Sequence, residues 1–173
     1  MNLNFYHVDA EYCEFLRQSD PCVPYIQVEK NMRPFVGVLL TIGGLNYFAP
    51  LTSPKPKHKR MKNQVDFIKI NDGEWGAINL NNMIPIHPSC LVAVDMKISK
   101  NDNKAEADYK NLLVNQLSWC NSNKALLLAR AAKLHRMIID KRAYPELARR
   151  CCDFAVDEAQ YHIYCMLHGL EIS

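Results

Sequence analysis

Pro34-Phe-Val-Gly-Val-Leu-Leu-Thr-Ile42, then Gly43-Gly44, then Leu45-Asn-Tyr-Phe-Ala-Pro-Leu51, reads as two apolar strands joined by a glycine turn. The first run is nearly continuous apolar and rich in β-formers, which favours extended chain. Two glycines between such runs give a hairpin, because the turn needs positive φ. The second strand breaks at Thr52-Ser53-Pro54 and runs into Lys55, Lys57, His58, Lys59, Arg60 and Lys62. Two hydroxyls therefore stand at a strand end beside a concentrated positive charge. Strand ends hold side chains rigidly, and the loops beyond them often display binding and catalytic groups.

Outward from this hairpin, the chain divides near Lys97. Before it, Leu3 to Val8 reads as a strand, and Asp9 caps a helix from Ala10 to Gln18 with Tyr12, Phe15 and Leu16 on one face. Two prolines between Ser19 and Pro24 end that helix, and Tyr25 to Arg33 reads as a loop leading inward. Further short strands are expected at Val65–Ile70, Trp75–Leu80, Met83–Ile86 and Leu91–Asp95, with a turn at Asn71-Asp72-Gly73. None suits a parallel crossover, so residues 1–97 are expected to form a small antiparallel barrel. Beyond a polar linker at Ser99–Lys104 the period turns helical. Tyr109, Leu112, Leu113, Gln116, Leu117 and Cys120 mark one helix, and Leu126, Leu127, Ala131, Leu134 and Ile138 mark a second. Pro145 interrupts, and Asp153 opens a third with Phe154, Tyr161 and Tyr164. The expected architecture is one α+β domain over 1–173, with helices from 105 to 168 packed on the barrel.

Composition sets limits on the function. The 173 residues are 49% hydrophobic and 23% charged, so a packed core is expected rather than disorder. Net charge is only +3, but basic residues gather at 55–62 and again between Lys124 and Arg150, which suits a directed anionic partner. The seven cysteines are odd in number and form no Cys-x-x-Cys or zinc-type grouping, so reduced, apolar thiols are expected. The first residues lack the build of a signal peptide, and no apolar run approaches the roughly 20 residues of a membrane span. A cytoplasmic protein without membrane contact is expected.

Phosphate-binding glycine loops, a His-Glu-x-x-His motif and a two-metal carboxylate cluster are all missing from the sequence. No cofactor and no metal is expected. What remains is a site of hydroxyls and cations, which suits RNA cleavage by the neighbouring 2′-hydroxyl. Such a site must orient that hydroxyl, stabilise a dianionic phosphorane and protonate the leaving 5′-oxygen. Lys55 and His58 are the candidates for proton transfer, with Thr52 and Ser53 as hydrogen-bond donors. A solvent-exposed loop histidine fits His58 equally well.

Phe35-Val-Gly37, Tyr47-Phe-Ala-Pro-Leu-Thr-Ser-Pro-Lys55, Gly76-Ala-Ile-Asn-Leu80, Met83-Ile-Pro-Ile86 and Cys152-Asp-Phe154 together resemble the ToxN/AbiQ family. Its members are endoribonuclease toxins of bacterial type III toxin–antitoxin systems, and the resemblance covers almost the whole chain. It implies an SH3-like barrel related to the Kid/MazF toxins, elaborated with N-terminal and C-terminal helices. It also implies metal-independent cleavage to a 2′,3′-cyclic phosphate and a 5′-hydroxyl. The implied partner is a short, pseudoknot-like repeat RNA, which is antitoxin and product at once, in closed rings of alternating protein and RNA. Cellular and phage RNA would be the other substrates. Thr52, Ser53 and Lys55 fall on the family's site, and Tyr12 matches a tyrosine implicated there. Position 33 carries arginine where the pattern has lysine, so Arg33 can clamp a phosphate but cannot transfer a proton. Tyr25 is the nearest counterpart of a further tyrosine of that site.

On this reading Lys57, Lys59 and Arg60 add RNA contacts beside the centre. Arg130, Lys133 and Arg136 are either a solvated helix face or a second contact to antitoxin phosphates. Two other functions fit the same residues: a MazF-type toxin with a protein antitoxin, and a non-catalytic RNA-binding adaptor.

Overall fold

The computed structural model describes residues 1–27 and 33–172, so the inner part of the expected loop at 25–33 lies outside the described residues. The hairpin forms as Phe35–Ile42 (β2) and Leu45–Thr52 (β3), closed by Gly43 and Gly44. β3 is the organising strand. β2 pairs along one side of it, while its other side takes Ile84–Pro85 (β6) at Tyr47 and Phe48. Farther on, that same side takes Ala77–Asn79 (β5) at Leu51 and Thr52. Every residue of β3 except Asn46 is buried, which explains its run of apolar side chains.

Asn4–Val8 (β1) continues the sheet beyond β2, Leu91–Ala93 (β7) beyond β1, and Phe67–Lys69 (β4) beyond β5. All pairings are antiparallel, as the short strands imply. The path runs β4-β5-β3-β2-β1-β7 and stays open, whereas a closed barrel was expected. Closure requires end strands that pair in a staggered register. Here β4 and β7 are three residues each, and Val92 at the centre of β7 is 68% exposed.

Helices cover the sheet. Ala10–Arg17 (α1) starts at Asp9, whose carboxylate accepts from the backbone N–H of Glu11 and Tyr12. Lys104–Ser122 (α3) begins with a reciprocal capping box between Asn103 and Glu106. Lys124–Ile139 (α4) follows with Leu127, Ala131 and Leu134 fully buried. Pro145 does not merely interrupt; it occupies the first turn of Pro145–Arg150 (α5), where its missing N–H costs nothing. Phe154–Leu167 (α6) is capped by Asp153 as expected. One polar joint links three layers: Glu158 of α6 accepts from the Tyr47 hydroxyl of β3 at 2.6 Å and meets His135 Nε2 of α4 at 2.8 Å. The His135 ring stacks on Phe154, so the Tyr47 hydroxyl and His135 Nε2 both find Glu158 within an apolar surround. All seven cysteines are free, and six of them are buried.

Candidate active site

β3 delivers Thr52 and Ser53 to the end of the sheet. Thr52 is the last paired residue, opposite Ala77, and is almost fully buried, while Ser53 is exposed one step beyond. Behind them passes Gly76 at φ +95°. A Cβ there would stand 2.1 Å from the Thr52 carbonyl oxygen, so only glycine lets the two backbones approach this closely. Thr52 and Ser53 open into a cavity of about 150 Å³.

Opposite, α3 presents Tyr109, Leu112, Leu113 and Gln116 to the same cavity, one helical face at i, i+3, i+4 and i+7. Arg33 completes the wall from the chain entering β2. Strand hydroxyls, a guanidinium and a phenol thus meet in one small space. The Gln116 amide is held from outside the cavity, its Nε2 donating to the Trp75 carbonyl at 2.6 Å. Burial raises the Tyr109 phenol above its ordinary pKa of 10.0.

The basic stretch forms a short helix, Pro56–Arg60 (α2), where a loop was expected. Pro56 presets its first turn, and the lysines and arginine that follow are good helix formers. Lys55 sits at its N-cap, exposed and two residues from Ser53, and Lys57, Lys59 and Arg60 are exposed around it. Lys59 pairs loosely with Glu74 at 3.7 Å. His58 points the other way. It is 1% exposed, its ring meets Phe67 edge-on at 5.6 Å, and its Nδ1 has no partner among the described residues. Burial, with Lys57 and Lys55 beside it, lowers its pKa and keeps the ring neutral.

Other expected site residues lie elsewhere. Tyr12 is a core residue: it is fully buried, its hydroxyl donates to the Pro85 carbonyl, and its ring meets Tyr164 at 4.9 Å. Tyr25 is exposed, with the Arg17 guanidinium 5.5 Å above its ring, and it does not line the cavity. Arg130, Lys133 and Arg136 lie along α4, none of them in the cavity wall. Tyr109 and Gln116 were read from the sequence only as part of an apolar stripe. The signal that could have found them is the presence of two polar-tipped residues on the buried face of α3.

The family described as "Toxin ToxN, type III toxin-antitoxin system" matches residues 4–162. The endoribonuclease ToxN of Bacillus thuringiensis subsp. kurstaki is 29% identical over 157 residues, spanning 88% of this chain and 79% of the relative. Two solved structures share the fold across nearly all of both chains. AbiQ, a lactococcal anti-phage endoribonuclease of a type III toxin–antitoxin system, superposes with a TM-score of 0.81 at 26% identity, covering 96% of this chain and 99% of that one. A type III system in which a non-coding RNA pseudoknot selectively inhibits the toxin gives 0.76 at 28%, covering 95% and 98%.

Proposed function

The chain belongs to the ToxN toxin family of type III toxin–antitoxin systems, and from that premise we propose that the cavity at Thr52 and Ser53 is the active site of an endoribonuclease toxin. Its inhibitor is a structured non-coding RNA, as for the pseudoknot-inhibited relative, and its biological setting is antiviral, as for AbiQ. The observation that carries the reading is the convergence on one cavity of Thr52, Ser53, Arg33 and Tyr109, with Lys55 two residues from Ser53.

The cleavage we infer is attack of the 2′-hydroxyl on the adjacent phosphorus, which breaks the bond to the 5′-oxygen. The products are a 2′,3′-cyclic phosphate and a 5′-hydroxyl. Ser53 and Thr52 orient the attacking hydroxyl or a phosphate oxygen, and Arg33 binds the phosphate as a fixed cation. Lys55 stabilises the charge of the phosphorane and is the residue placed to exchange a proton. Tyr109 donates to a phosphate oxygen or to the leaving group. His58 supports α2 from beneath and takes no part in chemistry. The same activity excises the antitoxin from its repetitive precursor, and the product assembles with the protein into a closed ring.

The reading further takes the chain as one domain in the bacterial cytoplasm. A continuous buried cluster running from Leu3 to Cys165 supports the first point, and no described helix is long and apolar enough to cross a membrane. It also takes the sheet as an opened SH3-like barrel of the Kid/MazF kind. The support is β3, which pairs with β2 on one side and with β6 and then β5 on the other.

The test compares wild type with Ser53→Ala and Lys55→Ala on a precursor RNA carrying tandem repeats. Both variants should keep the wild-type circular dichroism spectrum and stop releasing repeat-length RNA with cyclic phosphate ends. Normal cleavage by both would sink the assignment. A clean, toxic protein neutralised by a small protein would support the MazF-type alternative instead.

A further inference from the structure

Asp20, in the turn after α1, Cys152, just before α6, and Asp157, in the first turn of α6, meet in the interior. One ligand atom from each lies within 4.8 Å of the other two. Asp20 is 5% exposed, and Cys152 and Asp157 are not exposed at all. Asp20 is already engaged as an acceptor, its two oxygens taking the backbone N–H of Cys22 at 2.9 Å and of Asp153 at 2.7 Å. Both oxygens of Asp157 are buried without any hydrogen-bond partner among the described residues. No described Lys, Arg or His pairs with either carboxylate.

Two buried carboxyl groups without a basic partner need a proton or a cation between them. Neither Asp157 oxygen accepts a hydrogen bond from a described donor, the Cys152 thiol included. Ligand atoms all within 4.8 Å of one another are close enough to surround one small cation. With metal–ligand bonds of about 2.0–2.3 Å, neighbouring ligand atoms stand roughly 3–4 Å apart.

We propose that Asp20, Cys152 and Asp157 bind one divalent transition-metal ion of the zinc class as a structural staple. Asp20 and Asp157 each give a carboxylate oxygen, and Cys152 gives a thiolate. The thiolate selects against magnesium and calcium, which prefer all-oxygen sets. On binding, the thiol and the Asp157 carboxyl release their protons to the buffer, so three negative ligands surround a doubly charged ion. The remaining negative charge includes Asp157 in the first turn of α6, where the helix dipole favours it. Without a cation, burial and the charges of Asp20, Asp153 and Glu158 push Asp157 up to about 8. The ion ties the α1 turn to the segment where Cys152 N–H donates to the Asn81 carbonyl. It lies outside the cavity wall at Thr52 and Ser53, so its role is to hold the fold and not to cleave RNA.

The test uses the purified, untagged chain, stripped of nucleic acid and metal and titrated with Co²⁺. The expected result is a thiolate-to-cobalt charge-transfer band that saturates at one equivalent and disappears in both Cys152→Ser and Asp157→Asn. Zn²⁺ should raise the melting temperature of wild type and leave both variants unmoved. Asp157→Asn keeps the shape of the side chain and separates loss of a ligand from loss of packing. The proposal is overturned by no band in wild type, by a band that survives in both variants, or by Asp157→Asn matching zinc-loaded wild type in melting temperature.

Discussion

The phenol of Tyr109 is half-buried in the cavity wall, and burial holds its proton more tightly than in water. At neutral pH it is therefore a donor: it can hold a phosphate oxygen or protonate the leaving 5′-oxygen, but it cannot remove the 2′ proton. Tyr109→Phe keeps the ring and deletes the donor, so single-turnover cleavage should slow by roughly 10²-fold or more. Tyr25→Phe, at an exposed ring outside the cavity, should cleave at the wild-type rate, and equal rates for the two variants would remove Tyr109 from the mechanism. His58 gives a prediction of another kind. Its folded pKa lies below the ordinary imidazole value of 6.5, held down by burial and by Lys57 and Lys55. The unfolded chain therefore takes up the proton first as pH falls, and stability is full above 6.5 and declines below it. His58→Gln should flatten that decline, measured as urea midpoints between about pH 7 and about pH 5, while leaving the cleavage rate at neutral pH unchanged. A large loss of activity at unaltered stability would return His58 to the chemistry.

At the scale of elements, the site depends on how closely the turn before β5 presses on the end of β3. Gly76 carries φ +95° and lies where a Cβ would meet the Thr52 carbonyl at 2.1 Å and the Ser53 carbonyl carbon at 3.2 Å. Gly76→Ala must therefore shift the Thr52–Ser53 backbone relative to Arg33 and Tyr109. Misplacement by about 1 Å can cost roughly 10²-fold in rate, on top of a stability loss of about 1–3 kcal/mol from the strained backbone. The variant should lose cleavage at temperatures where circular dichroism still reports folded protein, and wild-type turnover would deny the contact its role. This contact also marks what the sequence can disclose. The hairpin, the Asp9 and Asp153 caps and the period of α3 are local, written in glycine pairs, capping side chains and apolar spacing. Thr52, Ser53 and Lys55 are legible too, because they occupy one contiguous motif beside a strand end. Tyr109 and Gln116 are not, because an inward-facing helical stripe looks the same whether it fills a core or walls a cavity. The burial of His58 is equally hidden, since it depends on Pro56 starting a helix and on Phe67 lying beneath it.

For the whole molecule, what decides RNA binding is where the charge lies rather than how much there is. A net charge of +3 gives little long-range attraction. The cations are nonetheless grouped: Lys55 at the N-cap of α2 and Lys57, Lys59 and Arg60 on it stand exposed just beyond Ser53 in the chain, and Lys133 and Arg136 stand exposed on α4, outside the cavity wall. A short single-stranded substrate needs only the first group, whereas a folded antitoxin is large enough to reach both. The two groups are separable by salt, because each phosphate neutralised adds roughly 0.7 to the slope of log affinity against log salt for a single strand. Combined reversal of Lys57 and Arg60 to Glu should weaken binding of both RNAs and reduce both slopes. Combined reversal of Arg130, Lys133 and Arg136 to Glu should weaken and flatten antitoxin binding alone, leaving cleavage of a short substrate intact. Such a variant would remain toxic while escaping its inhibitor, which a growth assay with co-expressed antitoxin would report directly. If antitoxin affinity and salt slope are unchanged by the α4 reversal, those side chains are a solvated helix face, and control of the toxin rests on the cavity and α2 alone.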